Sequence, residues 1–191
     1  MGGLPPVSLV SPLVAAWVPR IAGDLGARAQ ALDLAMGTGR HAMVLAEAGF
    51  ETFGVDVSFE RVHAANAHGR ARRLRLHTWV ADLDTCPLPR HRFDLLVCTR
   101  FLLRARWADV RELVRPGGFV IYETFVEAQA WSGAGSRSPA HLLRPGELES
   151  AFAGWDVLVS DEERGDGAHA GPGGAPVARL VARRPAQRSG S

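Results

Sequence analysis

A chain of 191 residues, 47% hydrophobic and 22% charged, is long enough to bury a full core and short enough to form one domain. Its formal net charge of +2 gives no electrostatic case for nucleic acid or a membrane surface, and every basic residue other than histidine is arginine. The absence of lysine excludes Walker-A nucleotide binding, Schiff-base chemistry and the Tyr/Lys pair of short-chain dehydrogenases; the two cysteines, Cys86 and Cys98, lack metal-ligand spacing and read as reduced thiols of a cytoplasmic protein.

The apolar stretch from Pro6 to Val18 has no basic segment ahead of it and no small-residue cleavage site behind it, so it reads neither as a signal peptide nor as a membrane span. Ser11 is placed as an N-cap, with Pro12 at the first position of a helix whose Leu13, Val14, Trp17 and Val18 cover a sheet. Residues 1–29 form this N-terminal cap region. Ala31 to Leu34 has the character of a buried strand and runs into Gly37-Thr38-Gly39. Helical spacing follows from Arg40 through Ala42, Leu45 and Ala46 to a C-cap at Gly49. Glu51 to Asp56 is a short second strand ending in an acid. Ser58 caps the next helix, which carries Phe59 and Val62 and stops near Gly69. The four arginines between Arg70 and Arg75 read as a solvated turn.

Leu74, Leu76, Thr78 and Val80 alternate as a third strand that ends at Ala81-Asp82-Leu83. Phe93 to Cys98, apolar but for Asp94, is a fourth strand, with Thr99, Arg100 and Phe101 at its C-terminal edge. Trp107, Val110, Leu113 and Val114 form a helical face, and Arg115-Pro116-Gly117-Gly118 turns into a fifth strand, Phe119 to Thr124. Residues 126–144 lose all periodicity and are expected to form a lid. Pro145-Gly146-Glu147 opens a helix with Leu148, Ala151 and Phe152 inward. Trp155 to Ser160 and Val177 to Ala182 then follow as two strands with no helix between them, an antiparallel pair at the sheet edge. Residues 1–184 are thus expected to be a single domain and 185–191 a disordered tail. The fold class is α/β: a doubly wound, Rossmann-like sandwich with a mostly parallel seven-stranded sheet and an antiparallel strand near the C-terminus.

A strand, a glycine turn and a helix N-terminus make a site for a nucleotide-like ligand, but the spacing G-x-G-x-x-A from Gly37 to Ala42 also fits the dinucleotide fingerprint. Asp33 separates the two. A carboxylate at the end of a buried strand suits a ligand with positive charge, such as the ammonium and sulfonium of S-adenosylmethionine, and repels the pyrophosphate of NAD. The segment from Leu32 to Ala42 resembles motif I of the class I S-adenosylmethionine-dependent methyltransferases, and with the stretch to Ser58 it is similar to their tellurite-resistance-type small-molecule branch. The Pro-Gly-Gly strand entry is shared too. Met36 departs from the Cys or Gly more often found there. The resemblance implies that Asp33 faces the methionine ammonium of S-adenosylmethionine, Gly37 and Gly39 its backbone, Asp56 the ribose, and Asp82 with Leu83 the adenine. Arg40 assists the carboxylate end, Val57 packs on the adenine, and Thr99 borders the methyl group.

A small-molecule acceptor is expected, bordered by Arg100 and closed over by Phe125, Arg137 and His141. The residues name no acceptor and no oligomeric state. No His/Asp or His/Glu pair marks an obvious base, so His141, Glu123 and Arg100 are the candidates for catalysis, and no histidine or cysteine spacing suggests a metal. Two rival readings use the same glycine loop: an NAD(P)-binding oxidoreductase, and a catalytically inactive cofactor-fold binding protein.

Overall fold

The strand β1 (Gln30–Leu34) lies inside the sheet with a strand on either side, and its last four side chains are all buried. A computed structural model describes residues 9–26, 28–127, 141–163 and 175–186. Around β1 the chain forms α1 (Pro12–Leu25), α2 (Arg40–Glu47), β2 (Glu51–Asp56), α3 (Phe59–Ala71), β3 (Leu76–Val80) and β4 (Phe93–Thr99). A single 3-10 turn (Arg104–Arg106) precedes α4 (Trp107–Leu113), β5 (Val114–Phe125), α5 (Glu147–Ala151), β6 (Asp156–Glu163) and β7 (Val177–Arg183). The seven strands run in the order β3-β2-β1-β4-β5-β7-β6. The first five are parallel, and β7 is antiparallel to both β5 and β6. The order reverses between β1 and β4, so the crevice at their carboxyl ends is the switch point where such sheets bind ligands.

Strands buried on both faces read as unbroken apolar runs. On β4 and β5, Leu95, Val97, Phe119 and Ile121 face α1 and α2 and pack on Val14, Val18, Ile21 and Leu45. Their neighbours Leu96, Cys98, Val120 and Tyr122 face the other way and join Val110 and Leu113 from α4, Leu148 from α5 and Phe152 just after it. Burial of such side chains contributes about 1.5–3 kcal/mol each.

Several boundaries differ from expectation for local reasons. Leu74 lies outside β3 because its N–H closes the end of α3 on the Gly69 carbonyl. Val114 leaves the helix and opens β5, pairing with Phe93. Arg115-Pro116-Gly117-Gly118 is therefore an irregularity inside the strand, where the register shifts before Phe119 pairs with Leu95 and Gly117 adopts a φ of +82°. The arginine-rich turn lies at the surface, with Arg72 paired to Glu47 at 3.1 Å. Residues 128–140 of the expected lid and 187–191 of the expected tail lie outside the described residues. Among the described residues, no helix is long and apolar enough to cross a membrane.

Candidate active site

Three left-handed residues in quick succession make the turn out of β1: Ala35 at φ +56°, Gly37 at +57° and Gly39 at +80°. Glycine takes this conformation freely, whereas Ala35 is strained by about 1–2 kcal/mol. At Gly39 a Cβ would come within 2.9 Å of the Ala65 Cβ, so α3 packs directly on the turn. At Gly37 a Cβ would meet nothing within 4 Å, because that side is open to a recess. Met36 is accommodated by Gly54 on β2, where any side chain would collide with the Met36 sulfur.

Acids end or follow the first three strands, and each has a different task. The Asp56 carboxylate, 4% exposed, accepts the Gly37 N–H at 2.8 Å and the Ser58 N–H at 3.0 Å, tying β2 to the glycine turn. The Asp33 carboxyl is buried and accepts the Ala42 N–H at 2.9 Å. Burial raises its pKa to about 7, against the opposing pull of that hydrogen bond and of Arg40. Asp82 is exposed and accepts the Asp84 N–H at 2.9 Å, which shapes the turn after β3. Asp82 also lines the cleft.

At the end of β4, Thr99 Oγ1 lies 3.1 Å from His41 Nδ1 and accepts from Arg40 Nη2 at 3.1 Å. His41 is neither solvent-facing nor at the cleft surface. It is buried, and its Nε2 accepts from the Ser11 N–H at 3.1 Å and from Arg40 Nε at 3.2 Å. Two donors at Nε2 place the proton on Nδ1, which donates to Thr99. Burial foremost, then Arg40 and Arg100, push the His41 pKa down to about 3. Ser11 has N-cap backbone geometry but makes no side-chain cap. Its hydroxyl donates to Glu123 Oε2 at 3.0 Å, and that same oxygen accepts from Arg179 Nε at 3.0 Å in a buried ion pair. Glu123 is thus committed to its neighbours.

Two adjoining recesses share Ala35, Arg61 and Arg100 and form one cleft along the carboxyl ends of the strands. The larger, about 350 Å³, is also lined by Asp56, Val57, Asp82, Leu83, Asp84 and Phe101. The smaller, about 160 Å³, is lined by Met36, Gly37, Thr38, Arg40 and Thr99. Gly37, Arg40, Asp56, Val57, Asp82, Leu83, Thr99 and Arg100 are therefore brought together as lining residues. Asp33 and Gly39 support the cleft from behind its wall. Phe125 and the exposed His141 line neither recess, and Arg137 lies outside the described residues. Sequence reasoning passed over Arg61, whose only signal is its place in the first turn of the helix that follows an acid-ended strand.

Comparison with known proteins bears on what this cleft holds. Residues 31–118 match the methyltransferase domain family. A protein of Bordetella avium (strain 197N) named ubiquinone biosynthesis O-methyltransferase is 25% identical over 170 residues, covering 76% of this chain and 68% of its own. The crystal structure of TehB from Haemophilus influenzae is similar with a TM-score of 0.71 at 20% identity, over 88% of this chain and 62% of that one. This chain thus spans less than two thirds of that structure. A structure from Mesorhizobium loti, titled as an S-adenosylmethionine dependent methyltransferase, is similar over 89% of this chain and 98% of its own, with a TM-score of 0.65 and 20% identity. At these identities the structural likenesses speak for the fold. The domain match begins in β1, ends in the irregularity of β5 and takes in every cleft-lining residue from Ala35 to Phe101; over residues 31–118 this chain is similar to the methyltransferase domain family, which supports S-adenosylmethionine as the ligand of the cleft.

Proposed function

We propose that the cleft is used to methylate a small molecule in the cytoplasm, and that the acceptor atom is a soft nucleophile of the thiolate or chalcogen class. The continuity of the two recesses across Ala35, Arg61 and Arg100 carries this reading. One recess has the size and lining for a nucleoside, with Asp56 for ribose hydroxyls and Val57, Asp82 and Leu83 around a base. The other suits an amino-acid moiety, with open space beside Gly37, Arg40 for a carboxylate, and Asp33 behind the turn toward an ammonium. S-adenosylmethionine supplies an electrophilic methyl group on a sulfonium.

The chain's own part is to position the reactants. Gly37, Gly39 and Asp56 fix the cofactor side, Thr99 borders the transfer, and Arg100 bounds the acceptor. Holding two reactants in line can contribute about 7–11 kcal/mol, so an already deprotonated acceptor needs no general base. Glu123 is held by Ser11 and Arg179, which favours a positioning mechanism over proton transfer at that carboxylate. A small-molecule acceptor also agrees with the name of the Bordetella relative.

Titration calorimetry tests the reading. S-adenosylhomocysteine should bind in the micromolar range, about 7–8 kcal/mol, and NAD should not. An acceptor panel of thiols, phenols and chalcogen oxyanions then identifies the methylated atom. Binding of NAD alone refutes the cofactor assignment, and turnover confined to protein or nucleic-acid substrates refutes the small-molecule acceptor.

A further inference from the structure

Among its described lining residues, the smaller recess carries three arginines (Arg40, Arg61 and Arg100) and no carboxylate. Arg40 is engaged by His41 and Thr99. Arg100 is not. Its Nε is buried without a hydrogen-bond partner, and its guanidinium forms no ion pair among the described residues. The nearby Glu123 attracts it but is held by Ser11 and Arg179, and the cleft's acids Asp56, Asp82 and Asp84 line the larger recess, which Arg100 also borders without forming an ion pair with them. A buried donor without a partner is unfavourable, and more so when charged. The backbone adds to this, since Arg100 adopts a φ of +56°, where an arginine is strained and a glycine is not. Two unfavourable features at one residue, aimed into a cleft, point to a ligand that satisfies the donor.

The charge of the bound cofactor sharpens this. S-adenosylmethionine has one carboxylate against an ammonium and a sulfonium, and a single guanidinium satisfies that carboxylate. The arginines left over and the sulfonium concentrate positive charge on the smaller recess, which a further anion offsets. Resting on the methyl-transfer reading above, we infer that the acceptor is itself a small anion and that the Arg100 guanidinium selects it.

The test uses matched probes on the full chain saturated with S-adenosylhomocysteine: mercaptoacetate, an anion, and mercaptoethanol, its neutral counterpart. Calorimetry should find mercaptoacetate bound at least about tenfold more tightly. Arg100→Gly, which relaxes the backbone while removing the guanidinium, should bring the two probes within about twofold. Arg100→Gln, which keeps bulk without charge, is read alongside, so either variant decides the matter. S-adenosylhomocysteine affinity should stay within about threefold in both. The inference is overturned if wild-type protein shows no preference for the anion or binds neither probe at millimolar concentration. It is also overturned if the preference survives both substitutions, or if both chiefly weaken S-adenosylhomocysteine, which makes Arg100 a cofactor residue. Failure of wild-type protein to bind S-adenosylhomocysteine is a separate result and refutes the methyl-transfer reading instead.

Discussion

Replacing Asp33 with asparagine should stabilise the protein at and above neutral pH. Asp33 is 1% exposed within β1, and burial raises its pKa from 3.8 to about 7 even though the Ala42 N–H and Arg40 favour the anion. Because the folded value lies above the unfolded one, the unfolded chain ionises first as pH rises. Stability that is complete below about pH 4 is therefore lost progressively up to about pH 7. That rise corresponds to roughly 4 kcal/mol at pH 8, of which about 3 kcal/mol is lost between pH 5 and pH 8. Asparagine offers an amide oxygen to the Ala42 N–H, so the 2.9 Å hydrogen bond can be kept while the ionisation is removed. Urea unfolding of both proteins across that range should show the variant's advantage growing by about 3 kcal/mol. Parallel stability curves refute the reasoning. Calorimetry with S-adenosylhomocysteine gives a second readout, because an ammonium opposite Asp33 favours its ionised form. Wild-type affinity should rise by up to about tenfold per pH unit below 7 and then level, while Asp33→Asn binds more weakly and loses that dependence.

Asp56→Ala removes the acceptor of the Gly37 and Ser58 N–H groups and the proposed ribose partner, so S-adenosylhomocysteine affinity should fall about tenfold to a hundredfold, roughly 1.5–3 kcal/mol. Unchanged affinity in calorimetry assigns the ribose to another residue. Gly54→Ala should destabilise by about 1–3 kcal/mol through collision with Met36, and adding Met36→Ala should recover part of the loss. A double-mutant cycle with no coupling contradicts this packing. His41 has a folded pKa of about 3 below an ordinary 6.5, so its contribution is complete above pH 6.5 and is lost as pH falls toward 3. His41→Gln should therefore lower stability at pH 7 by about 1–3 kcal/mol, through its lost partners Ser11 and Thr99, yet flatten the acid limb of the stability profile. An acid limb as steep as wild type rules that out.

The central strand was legible because a sheet covered on both faces demands apolar segments, and Phe93 to Cys98, apolar but for Asp94, admits little else. Side-chain contacts at long sequence separation were not. Ser11 reads as a cap from its place before Pro12, but its hydroxyl serves Glu123, 112 residues away, and no local pattern encodes that. His41 adjoins Arg40 on the first turn of α2, where a polar residue suggests solvent. The chain instead buries it under the start of α1, with the Ser11 N–H and Thr99 saturating both ring nitrogens. Arg100 looks like any charged residue after a strand. Only its φ and its partnerless Nε distinguish it.

The glycine turn shows how a departure from a family pattern stays compatible with the fold. Met36 is larger than the cysteine or glycine more common there, and its sulfur needs volume somewhere against β2. Gly54 supplies that volume, in register with Asp33 on β1 and Thr78 on β3. The backbone of the turn stays anchored meanwhile: the Met36 N–H donates to the Val55 carbonyl at 2.9 Å, and the Met36 carbonyl accepts the Gly39 N–H at 3.0 Å. Gly37 and Gly39 keep their left-handed geometry, and Asp56 still reaches Gly37. The substitution is thus absorbed behind the turn, in a side chain 5% exposed, while the backbone groups that shape the cleft hold their positions. In the next strand, Gly54 is a space for Met36 and Asp56 an anchor for Gly37. A sequence comparison that scores the turn alone counts Met36 as a mismatch, whereas one that pairs it with Gly54 sees a packing solution.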